Sequence, residues 1–157
     1  MESYLGMTLL ICGFPGIGKS FLKKKFSSFV SDSDSSTFAK DNFPENYVDA
    51  IESALDEYPI DRVFLISTHT SVRSELAYRK LSYVIVYPKK EDKQIYLKRY
   101  QNRGSSENFV NLLDSNWDSF IESCDSDPTP YRYRLCGDQY LEDVFKQILL
   151  THWNTYT

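Results

Sequence analysis

The residues whose chemistry is easiest to name are Gly13-Phe14-Pro15-Gly16-Ile17-Gly18-Lys19-Ser20, spaced as G-x-x-x-x-G-K-[ST]. Glycines at these positions let a turn aim its backbone N–H groups inward, where they can surround phosphate oxygens. A helix starting just after the turn directs its positive end at the same anion. Lys19 then reaches the β and γ phosphates of a nucleoside triphosphate, and the Ser20 hydroxyl ligands Mg²⁺. Gly13 through Ser20 are accordingly the expected nucleotide-binding residues, with Ser20 the expected metal ligand. No N-K-x-D segment for reading guanine is present, so ATP is the expected triphosphate.

Cations and carboxylates farther along could serve a phosphate acceptor. Asp32 and Asp34 follow an apolar stretch, and either could take a proton from an attacking hydroxyl; Asp34 lies farther past the strand end and is the catalytic choice. The same Ser/Asp-rich segment would also cap a following helix. Ser67-Thr68-His69 leads to Arg73, four residues beyond His69 and on the same helical face, suited to an anionic or hydroxylated acceptor. His69 could equally be a helix-cap residue. Lys98, Arg99 and Arg103 end a charged helix beside Gly104-Ser105-Ser106. They read either as a solvated end complementing the helix dipole or as a short lid, around 98–108, that lays guanidinium groups on the transferring phosphoryl charge. Phe43, Tyr47 and Trp117 could stack on a base, although their helical spacing fits core packing.

These residues need a frame. Met7 to Cys12 is an apolar run that ends at glycine, a buried strand. Lys19 to Phe29 has helical spacing, and a short strand near Phe29 to Ser31 follows. Phe43-Pro44 opens a helix with Tyr47, Ile51 and Leu55 on one face. Val63 to Ile66 is the next strand, followed by a helix to about Arg79 capped by Thr70 or Ser71. Tyr83 to Tyr87 is a strand, Glu91 to Asn102 and Phe109 to Ser123 are helices, Tyr131 to Leu135 is a strand and Tyr140 to Leu150 a helix. The alternation implies a single α/β domain over residues 1–157: a three-layer α/β/α sandwich on a five-stranded parallel sheet.

The bulk properties narrow the partners. At 157 residues, with 41% hydrophobic and 25% charged, the chain fits one globular domain. A net charge of −4 lacks the basic footprint of a domain that grips long nucleic acid. The 3 cysteines, without C-x-x-C spacing, indicate neither a disulfide framework nor a zinc site, and fit a reducing cytoplasm. No apolar run is long enough to span a bilayer, and Met1-Glu2-Ser3-Tyr4 does not read as a signal peptide. The strand Val63 to Ile66 ends at Ser67, where many ATP hydrolases carry a carboxylate, which argues against a hydrolase.

The chain resembles the small P-loop kinases: the nucleoside monophosphate kinases with gluconate kinase and polynucleotide 5'-hydroxyl kinase. The resemblance is carried by Gly13 to Ser20, by Asp32-Ser33-Asp34, by Leu97-Lys98-Arg99-Tyr100-Gln101-Asn102-Arg103-Gly104, and in placement by Ser67 to Arg73. With Phe43-Pro44-Glu45-Asn46-Tyr47 it is also similar to small kinases carried by bacteriophages. The resemblance implies a P-loop NTPase fold, ATP with Mg²⁺, and γ-phosphoryl transfer to a small acceptor, foremost a (deoxy)nucleoside monophosphate. Lys19, Asp34, Arg99 and Arg103 would be catalytic, and Asp32, Asp34, His69 and Arg73 would bind the acceptor. A hydroxyl on a nucleic acid end, a modified base or a sugar acid is the alternative acceptor. A nucleotide-binding regulator without turnover is the alternative outside enzymes.

Overall fold

A computed structural model of the chain describes residues 8–33, 38–57 and 62–153. Five parallel strands form its centre: β1 (Thr8–Gly13), β2 (Val30–Asp32), β3 (Arg62–Ser67), β4 (Val84–Pro88) and β5 (Arg132–Leu135), in the spatial order β2-β3-β1-β4-β5. The helices are α1 (Lys19–Lys25), α2 (Glu45–Glu57), α3 (Thr70–Tyr78), α4 (Lys93–Asn102), α5 (Glu107–Asp125) and α6 (Leu141–Trp153). The fold is therefore the α/β sandwich with a five-stranded parallel sheet that the strand–helix alternation implies.

Burial explains the strand composition. Ile11, Cys12, Val63, Leu65, Ile66, Ile85 and Val86 have no exposed surface, because the central strands are covered on both faces. Several element limits differ from the sequence reading. Helix α1 stops at Lys25, where Phe26 leaves the helical conformation; Phe26 and Phe29 instead pack against Phe145 of α6. Asp32 is the last residue of β2. His69, not Thr70 or Ser71, stands at the N-cap of α3, without a side-chain cap bond. Helix α4 starts at Lys93, after a 3-10 turn over Lys90–Asp92. Met7 and Asp34 lie outside the described residues.

The register sets the site. Gly13 pairs with Ser67 on one side and Val86 on the other, and Asp32 pairs with Leu65. The carboxyl ends of β2, β3 and β1 thus open at one edge of the sheet. The chain leaves β1 toward β2 on one side, and leaves β3 toward β4 on the other, so the crevice between β1 and β3 is where such sheets bind ligands. Among the described residues no helix is long and apolar enough to cross a membrane.

Candidate active site

The turn after β1 is held from outside, one carbonyl at a time. Phe14 O accepts from Ile17 N (3.3 Å) and Lys19 Nζ (3.2 Å). Pro15 O accepts from the Tyr100 hydroxyl at 2.8 Å, Gly16 O from Arg99 Nη1 at 2.9 Å, and Ile17 O from Leu141 N at 2.8 Å. Phe14 N and Ile17 N are spent on Val86 O and Phe14 O; with successive carbonyls tied to α4 and α6, the N–H groups of Gly16 and Gly18 are left for the concave side. Gly16 and Gly18 lie at φ 90° and 96°, where a side chain is strained. A Cβ on Gly16 would meet Tyr100 at 2.8 Å, so glycine is required for space as well as angle. The side chains of Phe14 and Ile17 are 2% and 0% exposed and anchor the turn in the core. Phe14 meets Trp117 and Tyr96 edge-on at 5.4 and 6.5 Å. These residues can serve a nucleotide through backbone only.

Lys19 Nζ donates to Gly13 O at 2.6 Å. Burial lowers its pKa to about 8, with Arg103 pushing the same way and Asp32 opposing. An amine held at this cost gains from an arriving anion. Ser20, exposed in the first turn of α1, brings a hydroxyl to the cleft that could ligate a cation. Among the described residues no group of three His, Cys, Asp or Glu could cage a metal. The donor set therefore fits a cation held by Ser20 together with phosphate and water oxygens.

The turn opens into a cleft of about 630 Å³. Its lining includes Asp32, Ser33, Ser67, Thr68, His69 and Thr70, together with Phe109, Leu112, Leu113 and Phe120 from α5 and with Arg103. The polar side is fixed by Tyr47, which is fully buried on α2. Its hydroxyl donates to Ser33 O at 2.9 Å and accepts from Ser67 N at 3.2 Å, joining the exits of β2 and β3. Burial raises the Tyr47 pKa to about 12, so the phenol keeps its proton. His69 meets the edge of Phe43 at 5.8 Å. Partial burial, then the charges of Lys19 and Arg73, lower its pKa, so it is neutral at pH 7.

The arginines have separate fates. Arg73 is 4% exposed and spends all five donors on protein: Nε to Thr68 O, Nη1 to Ser123 O and Asp127 Oδ2, Nη2 to Thr70 Oγ1 and Ser123 Oγ. Asp127 is equally buried and also accepts from the Tyr83 hydroxyl and Thr129 N. Arg73 touches the cleft without an N–H to offer it. Arg99 is clamped between the rings of Tyr96 and Tyr140, 4.4 and 3.8 Å from their centres, and ties Gly16 O to Gln139 O. It braces the turn from outside the cleft lining. Arg103 has its Nε held by Ser105 Oγ at 2.9 Å and its plane over Tyr100. Its terminal nitrogens have no hydrogen bond to the described residues.

Lys19, Ser20, Asp32, His69, Arg73 and Arg103 are thus brought to one cleft, and Arg99 is not among its walls. Trp117 and Tyr47 are core residues, with Trp117 Nε1 bound to Lys90 O at 2.8 Å. Sequence reasoning missed the braces Tyr96, Tyr100 and Tyr140 and the Tyr47 bridge. The four-residue spacing of Tyr96 and Tyr100 on α4, on the face that also carries Arg99 and Arg103, was the available signal.

No family model matches the chain, and no curated protein matches it. Among solved structures it is similar to the tunicamycin resistance protein of Deinococcus radiodurans, with a TM-score of 0.60, 16% identity, and coverage of 92% of this chain and 94% of that one. That likeness shows a shared α/β fold, in which this chain's G-x-x-x-x-G-K-[ST] turn follows the central strand β1.

Proposed function

We propose that the chain is an ATP- and Mg²⁺-dependent phosphotransferase for a small acceptor. The supporting observation is the register that sets Gly13, Ser67 and Asp32 at one sheet edge, with Lys19 and Arg103 on the same cleft. Mg²⁺, held by Ser20, would supply charge neutralisation on the triphosphate. Lys19 and Arg103 offset the charge spread over the transferring group. Asp32 faces the acceptor side and receives the acceptor's proton; Asp34, two residues on, is the other carboxylate available for that step. The acceptor oxygen bonds to the γ phosphorus, the bond to the β,γ-bridging oxygen breaks, and the nucleoside diphosphate leaves. The protein's work is positioning and electrostatics.

The resemblance implies a nucleoside monophosphate as acceptor. Arg73, the cation expected to hold its phosphate, is committed to Asp127 and Ser123, which favours an acceptor hydroxyl instead. The test is transfer from γ-labelled ATP to a panel of nucleoside monophosphates, nucleosides, gluconate and a 5'-hydroxyl oligonucleotide. Lys19→Ala should lower transfer at least about a thousandfold, and Asp32→Asn should lower kcat with little change in ATP binding. Undiminished transfer by the Lys19 variant would sink the mechanism. Tight ATP binding with no label on any acceptor would favour a regulator.

A further inference from the structure

We infer that the acceptor is an uncharged, hydroxyl-bearing molecule with an apolar body. The inference rests on the phosphotransferase reading and names its acceptor class. The first argument is a census of cations. All 18 lysines and arginines fall within the described residues; the remaining segments, 1–7, 34–37, 58–61 and 154–157, contain none. Of these side chains, Lys19, Arg73 and Arg103 line the cleft. Arg73 is neutralised at 2.7 Å by Asp127 and has no donor to spare. Lys19 belongs to the triphosphate turn, and Asp32 offsets part of the cleft's positive charge. Arg103 is then the one cation left to meet the transferring group. A second phosphate, brought by a monophosphate acceptor, would enter the cleft without a paired cation.

The second argument is the part of the lining that α5 contributes. Phe109, Leu112, Leu113 and Phe120 present one apolar face of α5 to the cleft. Leu112 is 51% exposed there, large for an aliphatic side chain in a ligand cleft. The polar part of the lining has Asp32 as its one carboxylate among the described residues and no cation of its own: Ser33, Ser67, Thr68 and a neutral His69 suit hydroxyls. A molecule that lays hydroxyls on β2 and β3 and an apolar body on α5 meets both.

The test uses the full chain, Mg²⁺ and γ-labelled ATP with two acceptor series. One pairs each nucleoside with its 5'-monophosphate. The other is methyl, butyl and octyl β-glucoside, each below its micelle concentration. Expected are a higher kcat/KM for nucleosides than for their monophosphates, and a rise along the glucosides of up to about fourfold per added methylene. Leu112→Glu should flatten that rise, with its melting transition verifying that it is folded. A monophosphate outperforming its nucleoside overturns the inference, as does a glucoside series that is flat in the parent protein. Label on no acceptor with Mg-ATP binding intact, or failure of Mg-ATP to bind at all, would instead bring down the phosphotransferase reading beneath it.

Discussion

Arg99 and Arg103 stand one helical turn apart at the end of α4, and the sequence offers them as a pair. Their surroundings separate them. Arg99 is sandwiched by Tyr96 and Tyr140 and links two backbone carbonyls, one in the phosphate turn and one before α6. Arg103, the C-cap residue of α4, lies over the rings of Tyr100 and Phe109, makes its one hydrogen bond to the described residues through Nε, and stands at the cleft. An arginine acts on a ligand with the donors its own protein leaves unused. By that measure Arg73 belongs with Arg99, because its charge is spent inside the fold.

This contrast can be broken by substitution. The largest effect belongs to Arg73. Arg73→Met leaves Asp127 buried without its counter-charge, and a loss of about 3–5 kcal/mol in unfolding free energy is expected by denaturant titration. Unchanged stability, with a selective rise in acceptor KM, would return Arg73 to the acceptor site. Next comes Arg103→Ala: kcat should fall about 100- to 1000-fold with the melting temperature nearly unchanged. Arg99→Ala should do the reverse. It should cost about 1–2 kcal/mol of stability, from two charge-assisted hydrogen bonds and a double stack, and raise the KM for ATP more than it lowers kcat. Equal kcat losses in the two variants would make them a catalytic pair after all.

The smallest effect is a fraction of a proton. With its pKa lowered to about 8, Lys19 in the free protein is half neutral at pH 8. A bound triphosphate favours the charged amine, so binding at pH 8 should take up about half a proton. Calorimetry in two buffers of different ionisation enthalpy reads this, and Lys19→Met should abolish it. The sign also fixes the pH trend: affinity for the triphosphate falls as pH rises through about 8. In the folded chain the same lowered pKa is a stability penalty, complete below pH 8 and relieved toward the unfolded value of 10.5.

How legible was all this in the sequence? The turn after β1 was, because its glycine spacing reports backbone geometry directly. The central strands were, because two-sided burial demands unbroken apolar runs such as Val63 to Ile66. The roles of Arg73 and Arg99 were not. Their partners Asp127 and Gln139 lie 54 and 40 positions away, and only the folded sheet brings them together. Helical spacing alone placed Arg73 beside His69 and Arg99 beside Arg103. It could not say that a buried carboxylate and two tyrosines would claim two of those three arginines. Trp117 and Tyr47, by contrast, carried apolar periodicity that pointed to the core, and both are there.

The hydroxyl of Tyr47 has a consequence for motion. It caps the amide of Ser67 and holds Ser33 O from a helix on the outer face of the sheet. The exits of β2 and β3 therefore cannot separate unless α2 lifts and a fully buried ring meets water. In hydrogen-exchange terms, the Ser67 amide opens with α2 rather than by local fraying. The polar wall is thus shared with the core, whereas at the α4–α5 corner Gly104 turns at φ 80°, and among the described residues only its chain neighbours come within 4 Å of where its Cβ would be.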